Sequence, residues 1–232
     1  MSRGNVSKVN FLKCSQGKWR EKVPEGTVGS VIRKVKVEGK PEFEVNELVN
    51  DFVEGVIIAI GVHTHEEFGR SWNVTIQDGP EILVLQFKYD SGYAFQFLQK
   101  LPNVDLSKPV VFLPYYFEED RKTRLVLKQD NIKVESYFSR EDPHGYPPLG
   151  EGADKDDINL WKIQAIKFLK AFLEENIIKK LPKKETVEAL IAPQLDPLPS
   201  SSGRPDPSNG VHDREREHRE HTEPEEKDDL PF

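Results

Sequence analysis

Residues 70–89 read RSWNVTIQDGPEILVLQFKY. The first half alternates strictly, with Trp72, Val74 and Ile76 on one face and polar side chains between them, which is the period of a half-buried strand. The Asp-Gly pair at 78–79 marks a tight turn, and the second half returns to strand-forming residues. The segment therefore predicts a β-hairpin with one apolar face.

Further short strands are predicted on both sides of this hairpin, and one helix interrupts them. The strands cover Val28–Val37, Phe52–His63, Pro109–Phe117, Thr123–Lys128 and Asn131–Val134. Apolar residues at helical spacing, behind a serine and before Pro102, predict a helix over Ser91–Leu101. Gly55 and Gly61 permit a bulge or bend that lets the sheet curl.

These elements predict a mainly β fold with an appended helix, in the α+β class. Residues 51–138 are expected to form an OB-fold-like barrel of five or six strands, because the order strand, strand, strand, helix, strand, strand is the OB-fold order. Residues 1–50 hold 10 Lys and Arg against 6 acids, a net of +4. We interpret them as a basic N-terminal extension whose strand or strands join the barrel.

The C-terminal part of the chain is expected to be a helix followed by a disordered tail. A proline- and glycine-rich linker at 139–153 leads to a helical segment at 154–192, in which Asp154–Lys180 carries a broad apolar stripe. From Pro193 onward there are 11 Asp and Glu against 5 Lys and Arg, a net of −6. Prolines, serines and charges prevail there, so residues 193–232 are predicted to be a disordered acidic tail.

The sequence contains none of the sharpest catalytic signatures: no GxxxxGK[ST], no GxSxG and no HExxH. His63 and His65 lack the two further ligands that a tetrahedral metal site needs. The single cysteine, Cys14, fits a reducing compartment, and no stretch has the length of a signal peptide or a membrane span. We therefore expect a cytoplasmic protein with no metal, no cofactor and no enzymatic activity.

Aromatic and basic side chains are interleaved on the predicted strands. Flat rings stack on any base, and lysine or arginine attracts phosphate, so this combination is typical of proteins that bind single-stranded nucleic acid. The candidate nucleic-acid-binding residues are Arg33, Lys34, Lys36, Arg70, Trp72, Lys88, Tyr89, Phe112, Tyr116, Arg124 and Lys128. For Trp72 the alternative is packing in the core, because it shares a face with Val74. On the strand at 109–117, Phe112 and Tyr116 form an outward-facing platform if Leu113 faces the core.

The sequence ends in an acidic run followed by two apolar residues and a proline: Asp228, Asp229, Leu230, Pro231 and Phe232. This terminus resembles the acidic tip of bacterial and phage single-stranded DNA-binding proteins. The stretch from WNVTIQDG to FLQKLPNVDLSKPV is similar to the single-stranded DNA-binding proteins of tailed bacteriophages. The resemblance implies an OB-fold core that binds single-stranded DNA, and a tip that docks on partner proteins.

The resemblance implies a non-enzymatic protein that coats single-stranded DNA in replication, recombination or repair. Residues 228–232 would then bind replication or recombination proteins of the polymerase, helicase, primase or nuclease class. The basic extension and the helix Asp154–Lys180 depart from the bacterial pattern of a bare barrel plus tail. Two alternatives remain open: an RNA-binding OB-fold protein, and a scaffold that uses the helix and tip without binding nucleic acid; a homo-oligomer is also compatible.

Overall fold

The computed structural model describes residues 9–36, 41–66 and 69–181. These residues form a mainly β structure with ten strands in one mixed sheet, two α-helices and two short 3₁₀ turns. The strands are β1 (Val9–Ser15), β2 (Lys18–Lys22), β3 (Val31–Val35), β4 (Phe43–Asn50), β5 (Val53–His65), β6 (Gly69–Asp78), β7 (Glu81–Lys88), β8 (Val110–Phe117), β9 (Lys122–Gln129) and β10 (Ile132–Lys133). The helices are α1 (Gly92–Lys100) and α2 (Lys155–Asn176).

The strands lie in the order β10-β9-β8-β5-β6-β7-β1-β2-β4-β3. Every ladder is antiparallel except that between β1 and β7, which is parallel. The mainly β class and the appended helix are confirmed. The expected barrel of five or six strands is wrong, because the sheet has ten strands and does not close.

The N-terminal residues contribute β1 to β4, of which only β3 was predicted. The chain reverses between β1 and β2 at Gln16 and Gly17, which have φ angles of 50° and 71°. Two consecutive positive φ angles suit the twist of a two-residue hairpin. Trp19, on β2, is completely buried, so this hairpin is part of the main core.

The sheet curls until the turn between β1 and β2 meets β8, without a ladder between them. The Tyr93 hydroxyl accepts a hydrogen bond from the backbone N–H of Gly17 at 2.8 Å and donates one to the carbonyl of Tyr115 at 3.0 Å. The indole N–H of Trp19 donates to the carbonyl of Phe112 at 3.1 Å. A Cβ on Gly17 would lie 2.6 Å from the Tyr116 nitrogen, so only glycine permits this approach.

Strand β9 pairs with β8 along one edge, and its other edge pairs only with the two-residue strand β10. Helix α1 covers the rest of that second edge. Ser91 caps the helix by accepting a hydrogen bond from the Ala94 N–H. The Gln96 side chain donates to the carbonyl of Thr123 and accepts from the N–H of Leu125, while Lys100 donates to the carbonyl of Leu125. Side chains of α1 thus satisfy backbone groups that a further strand would otherwise pair, as buried edges require.

Helix α2 packs against α1 through an aromatic cluster. It begins with a capping box in which Asp154 accepts from the N–H groups of Asp156 and Asp157. Trp161 stacks on Phe95 of α1 with ring centroids 5.9 Å apart. The helix ends at Asn176, before the predicted Lys180, and a 3₁₀ turn follows. Among the described residues no helix is long and apolar enough to cross a membrane.

We expect Tyr93→Phe to lower the free energy of unfolding by about 1–3 kcal/mol, because it leaves the Gly17 N–H and the Tyr115 carbonyl without their buried partner. Urea unfolding measures the change. Tyr115→Phe is the matched control, since Tyr115 is 45% exposed. Equal stability of the two variants would show that the Tyr93 hydroxyl does not hold the sheet in its curl.

Candidate nucleic-acid interface

Strand β8 has one buried face and one open face. Val110, Phe112 and Pro114 are buried, whereas the alternate residues Tyr115 and Phe117 are 45% and 47% exposed. Side chains on a strand point alternately to its two sides. The open face of β8 therefore presents two aromatic rings to solvent.

Strand β9 supplies cations to the same face. In the β8–β9 ladder Tyr115 lies opposite Arg124, Phe117 opposite Lys122, and Val111 opposite Lys128. Directly opposed residues of an antiparallel pair project to the same side. Lys128 is itself paired with Lys133 of β10, whose amine donates two hydrogen bonds to Glu135, while Lys122 donates one to Asp120.

A third exposed aromatic ring, Phe52, lies beside this face. Phe52 is 54% exposed and precedes Val53, which is buried and pairs with Phe112. By alternation Phe52 projects to the open side, and continuing the register places it next to Leu113. We define the β8–β9 outer face as Phe52, Glu54, Leu113, Tyr115, Phe117, Lys122, Arg124 and Lys128, in which Glu54 lies opposite Val111 and is the acidic member.

Hydrogen bonds from core side chains hold the backbone of β8 in place beneath this outer face. The carbonyls of Phe112 and Tyr115 accept the hydrogen bonds from Trp19 and Tyr93 described above. Burial raises the pKa of the Tyr93 phenol, so the hydroxyl keeps its proton and remains a donor. The rings of Tyr115 and Phe117 are therefore presented by a strand whose position is set, which limits the ordering cost of stacking a base on them.

The expected outward platform of Phe112 and Tyr116 is wrong. Phe112 is completely buried against Trp19 and Phe97, and Tyr116 lies on the same inward-facing side, half-buried. Trp72 is only 1% exposed and packs in the core, which was the alternative reading of its alternation pattern. Neither Phe112 nor Trp72 presents a ring to solvent.

The open end of the β6–β7 hairpin, opposite its turn, brings together Arg70, Lys88 and Tyr89. Tyr89 stacks on Trp72, with ring centroids 5.5 Å apart and planes 4° from parallel. The guanidinium carbon of Arg70 lies 3.8 Å from the centroid of the Tyr89 ring. Five of the eleven predicted nucleic-acid-binding residues thus lie at this corner or on the β8–β9 outer face.

The predicted bases on β3 and just after it have different environments. Arg33 donates two hydrogen bonds to Glu47, at 2.9 and 2.6 Å, and Arg20 donates a third at 3.2 Å. Hydrogen bonding from Arg33 and then Arg20 lowers the pKa of Glu47, which is 5% exposed. Arg33 is therefore occupied by a carboxylate, while Lys34 and Lys36 are exposed. The predicted partner-binding residues 228–232 lie outside the described part of the chain.

Four aromatic or basic residues of the outer face are not among the predicted ones: Phe52, Tyr115, Phe117 and Lys122. The stretch PVVFLPYYF at 109–117 is apolar at every position, so a period of two cannot identify its inner face. The neighbouring strand contained the missing signal: Leu125 and Leu127 are fully buried and are flanked by the charged residues Arg124 and Lys128. Registering β8 against β9 assigns Phe112 to the core and Tyr115 to the surface.

No protein-family model, curated protein or solved structure matches this chain. The geometry of the two surfaces and the residue pattern of the sequence are therefore the basis for the function proposed below.

Lys100, at the end of α1, lies near two other cations, Arg124 of β9 and Lys133 of β10. Burial lowers its pKa to about 8, and the positive charges of Lys133 and Arg124 act in the same direction. Since the ordinary value is 10.5, folding favours the neutral amine in the interval between these two values.

We expect the wild type to gain free energy of unfolding relative to Lys100→Met as the pH rises from about 8 towards 10.5. Below the folded-state pKa the amine is protonated in both folded and unfolded chains, so the difference should be constant there. Urea unfolding at closely spaced pH values measures it. Parallel stability curves for the two proteins across this interval would contradict the lowered pKa of Lys100.

Proposed function

We propose that this protein binds and coats single-stranded DNA without strong sequence preference, in replication, recombination or repair. The observation that carries the proposal is the β8–β9 outer face, where three exposed aromatic rings lie among Lys122, Arg124 and Lys128. Base stacking on an aromatic ring contributes about 1–3 kcal/mol per base and does not depend on which base it is. The cations add attraction to phosphate.

The form of the outer face supports a single strand rather than a duplex. Its rings project from an open sheet surface, and stacking on them requires bases that are not already stacked within a double helix. The elements from β5 to β9, with α1 between β7 and β8, follow the OB-fold order. We infer an OB-like unit that is opened, with β1 inserted beside β7 and α1 at the edge of β9.

The acidic tip supports the second part of the proposal, which is recruitment of partners. Leu230, Pro231 and Phe232 follow an acidic run, and an aromatic anchor surrounded by charges is how a short peptide gains affinity for a pocket. In this proposal residues 228–232 bind replication or recombination proteins, and the bound DNA strand occupies the folded part of the chain.

The first test titrates the full-length protein against fluorescently labelled oligo-dT, oligo-U and a matched duplex, each at two salt concentrations. We expect tight, salt-weakened binding of oligo-dT and much weaker binding of the duplex. Preference for oligo-U would replace DNA by RNA as the ligand. No binding of any oligonucleotide would overturn the proposal in favour of a scaffold.

The second test places the interface. The double variant Tyr115→Ala, Phe117→Ala should weaken oligo-dT binding by about tenfold or more with an unchanged dependence on salt, because it removes stacking and no charge. Phe11→Ala is the matched control, since Phe11 is 53% exposed but lies on β1. If Phe11→Ala lost affinity and the double variant did not, the interface would lie on the β1 side of the sheet.

Deletion of residues 230–232 should leave the affinity for oligo-dT unchanged while abolishing binding to a partner of the polymerase, primase, helicase or nuclease class. Fluorescence polarisation with a labelled peptide of residues 223–232 and the purified candidate partner measures the second effect. A truncated protein that still binds the partner with full affinity would assign recruitment to another surface.

A further inference from the structure

The corner formed by β6 and β7 contains three flat groups in contact. Trp72 is almost completely buried, Tyr89 is half-buried and stacks on it, and the guanidinium of Arg70 lies over the Tyr89 ring. Only Arg70 is exposed. The stack therefore presents the plane of a guanidinium group, rather than an aromatic ring, to the surface.

Arg70 and Tyr89 line a cleft of about 620 Å³ between the open end of the β6–β7 hairpin and the first half of α2. Helix α2 contributes Asn159, Lys162, Ile163 and Ile166 to the opposite wall. Ile163 is 51% exposed, so the wall is apolar and open. The volume lies within the range of about 300–1,000 Å³ that is usual for small-ligand sites.

The groups around the cleft match the parts of a nucleotide. A base stacks on the plane of an arginine as it does on an aromatic ring, with a further cation–π contribution. Ile163 provides an apolar surface for the other side of the base, and Asn159 offers both a donor and an acceptor for its edge. Lys88 and Lys162 provide positive charge for a phosphate, and Asp90, 3.9 Å from Lys88, is the acidic residue of the lining.

A second cleft of the same volume, lined by Phe138, Tyr146 and Trp161, lacks this combination. Its walls include three prolines and three aromatic side chains, with Arg140 as their cation and Glu151 as their acid. The charge of the first cleft favours an anionic ligand, whereas that of the second is balanced.

We propose that the Arg70 cleft is a nucleotide-binding subsite, in which one base of the strand stacks on the Arg70 guanidinium and its phosphate lies near Lys88 and Lys162. This inference rests on the proposed binding of single-stranded DNA and assigns to it a second contact, separate from the β8–β9 outer face. A strand held at two separate contacts dissociates more slowly than one held on the outer face alone.

Arg70→Lys tests the stacking, because lysine keeps the charge and lacks the planar group. We expect about tenfold weaker binding of oligo-dT, as for the loss of one stacked base, with an unchanged dependence of affinity on salt. Arg140→Lys, in the second cleft, is the matched control and should bind as the wild type does. Thermal unfolding of both variants checks that any loss of affinity is not a loss of fold.

The indole N–H signals of Trp19, Trp72 and Trp161 provide a direct readout by nitrogen-15 NMR. Trp72 lies beneath Tyr89 and Arg70, so its signal should shift when oligo-dT, or deoxyadenosine monophosphate alone, enters the cleft. Trp161 reports on the second cleft, whose wall it forms, and should remain in place. Trp72→Phe assigns the signal.

The outcomes separate the two proposals. If the wild type binds oligo-dT but Arg70→Lys equals Arg140→Lys and the Trp72 signal does not move, the subsite is overturned and the coating function stands. If the wild type binds no oligonucleotide, the proposed function is overturned. In that case a Trp72 shift with deoxyadenosine monophosphate supports a free-nucleotide site at the cleft, and its absence overturns the subsite as well.

Discussion

The hydroxyl of Tyr93 joins two parts of the sheet that no ladder connects among the described residues. It accepts from the turn between β1 and β2 and donates to β8, so a ten-stranded sheet with free ends is held in a curl. Tyr93 lies on α1, and the same helix carries Gln96 and Lys100, whose side chains form hydrogen bonds with the edge of β9. One nine-residue helix therefore fixes both sides of the β8–β9 pair. An unpaired buried polar group costs about 1–3 kcal/mol, which explains why these contacts are made by specific side chains.

The binding surfaces follow from this closure. The curl of the sheet buries one face of β8 in the core, where Phe112 packs against Trp19 and Phe97. The other face keeps Tyr115 and Phe117 in solvent because nothing in the described structure packs over them. The Arg70 cleft arises differently, where α2 approaches the end of the β6–β7 hairpin. Each surface combines flat groups with cations, and each is supported by a buried aromatic side chain.

The numbers of acidic and basic residues in the sequence do not predict the local charge of these two surfaces. Arg20 and Arg33 converge on Glu47, so part of the basic character of the N-terminal residues is used within the sheet. Other cations lie beside exposed rings on β9, and around the Arg70 cleft at the β6–β7 corner and on α2. The net charge of −7 is concentrated in the residues after Pro193. A protein with an acidic overall composition can thus present local positive surfaces.

Local pattern in the sequence determined the elements from β5 to β10, both helices and the DG turn, because alternation, helical spacing and caps act between near neighbours. The strands β1, β2 and β4 were not predicted, and their place in the sheet depends on pairing with other strands, β1 in parallel with the distant β7. Only the tertiary structure decided which face of PVVFLPYYF is buried, since every residue in it is apolar. It also decided that Arg70 covers Tyr89 beside α2, because that contact joins residues whose approach depends on the packing of the whole chain.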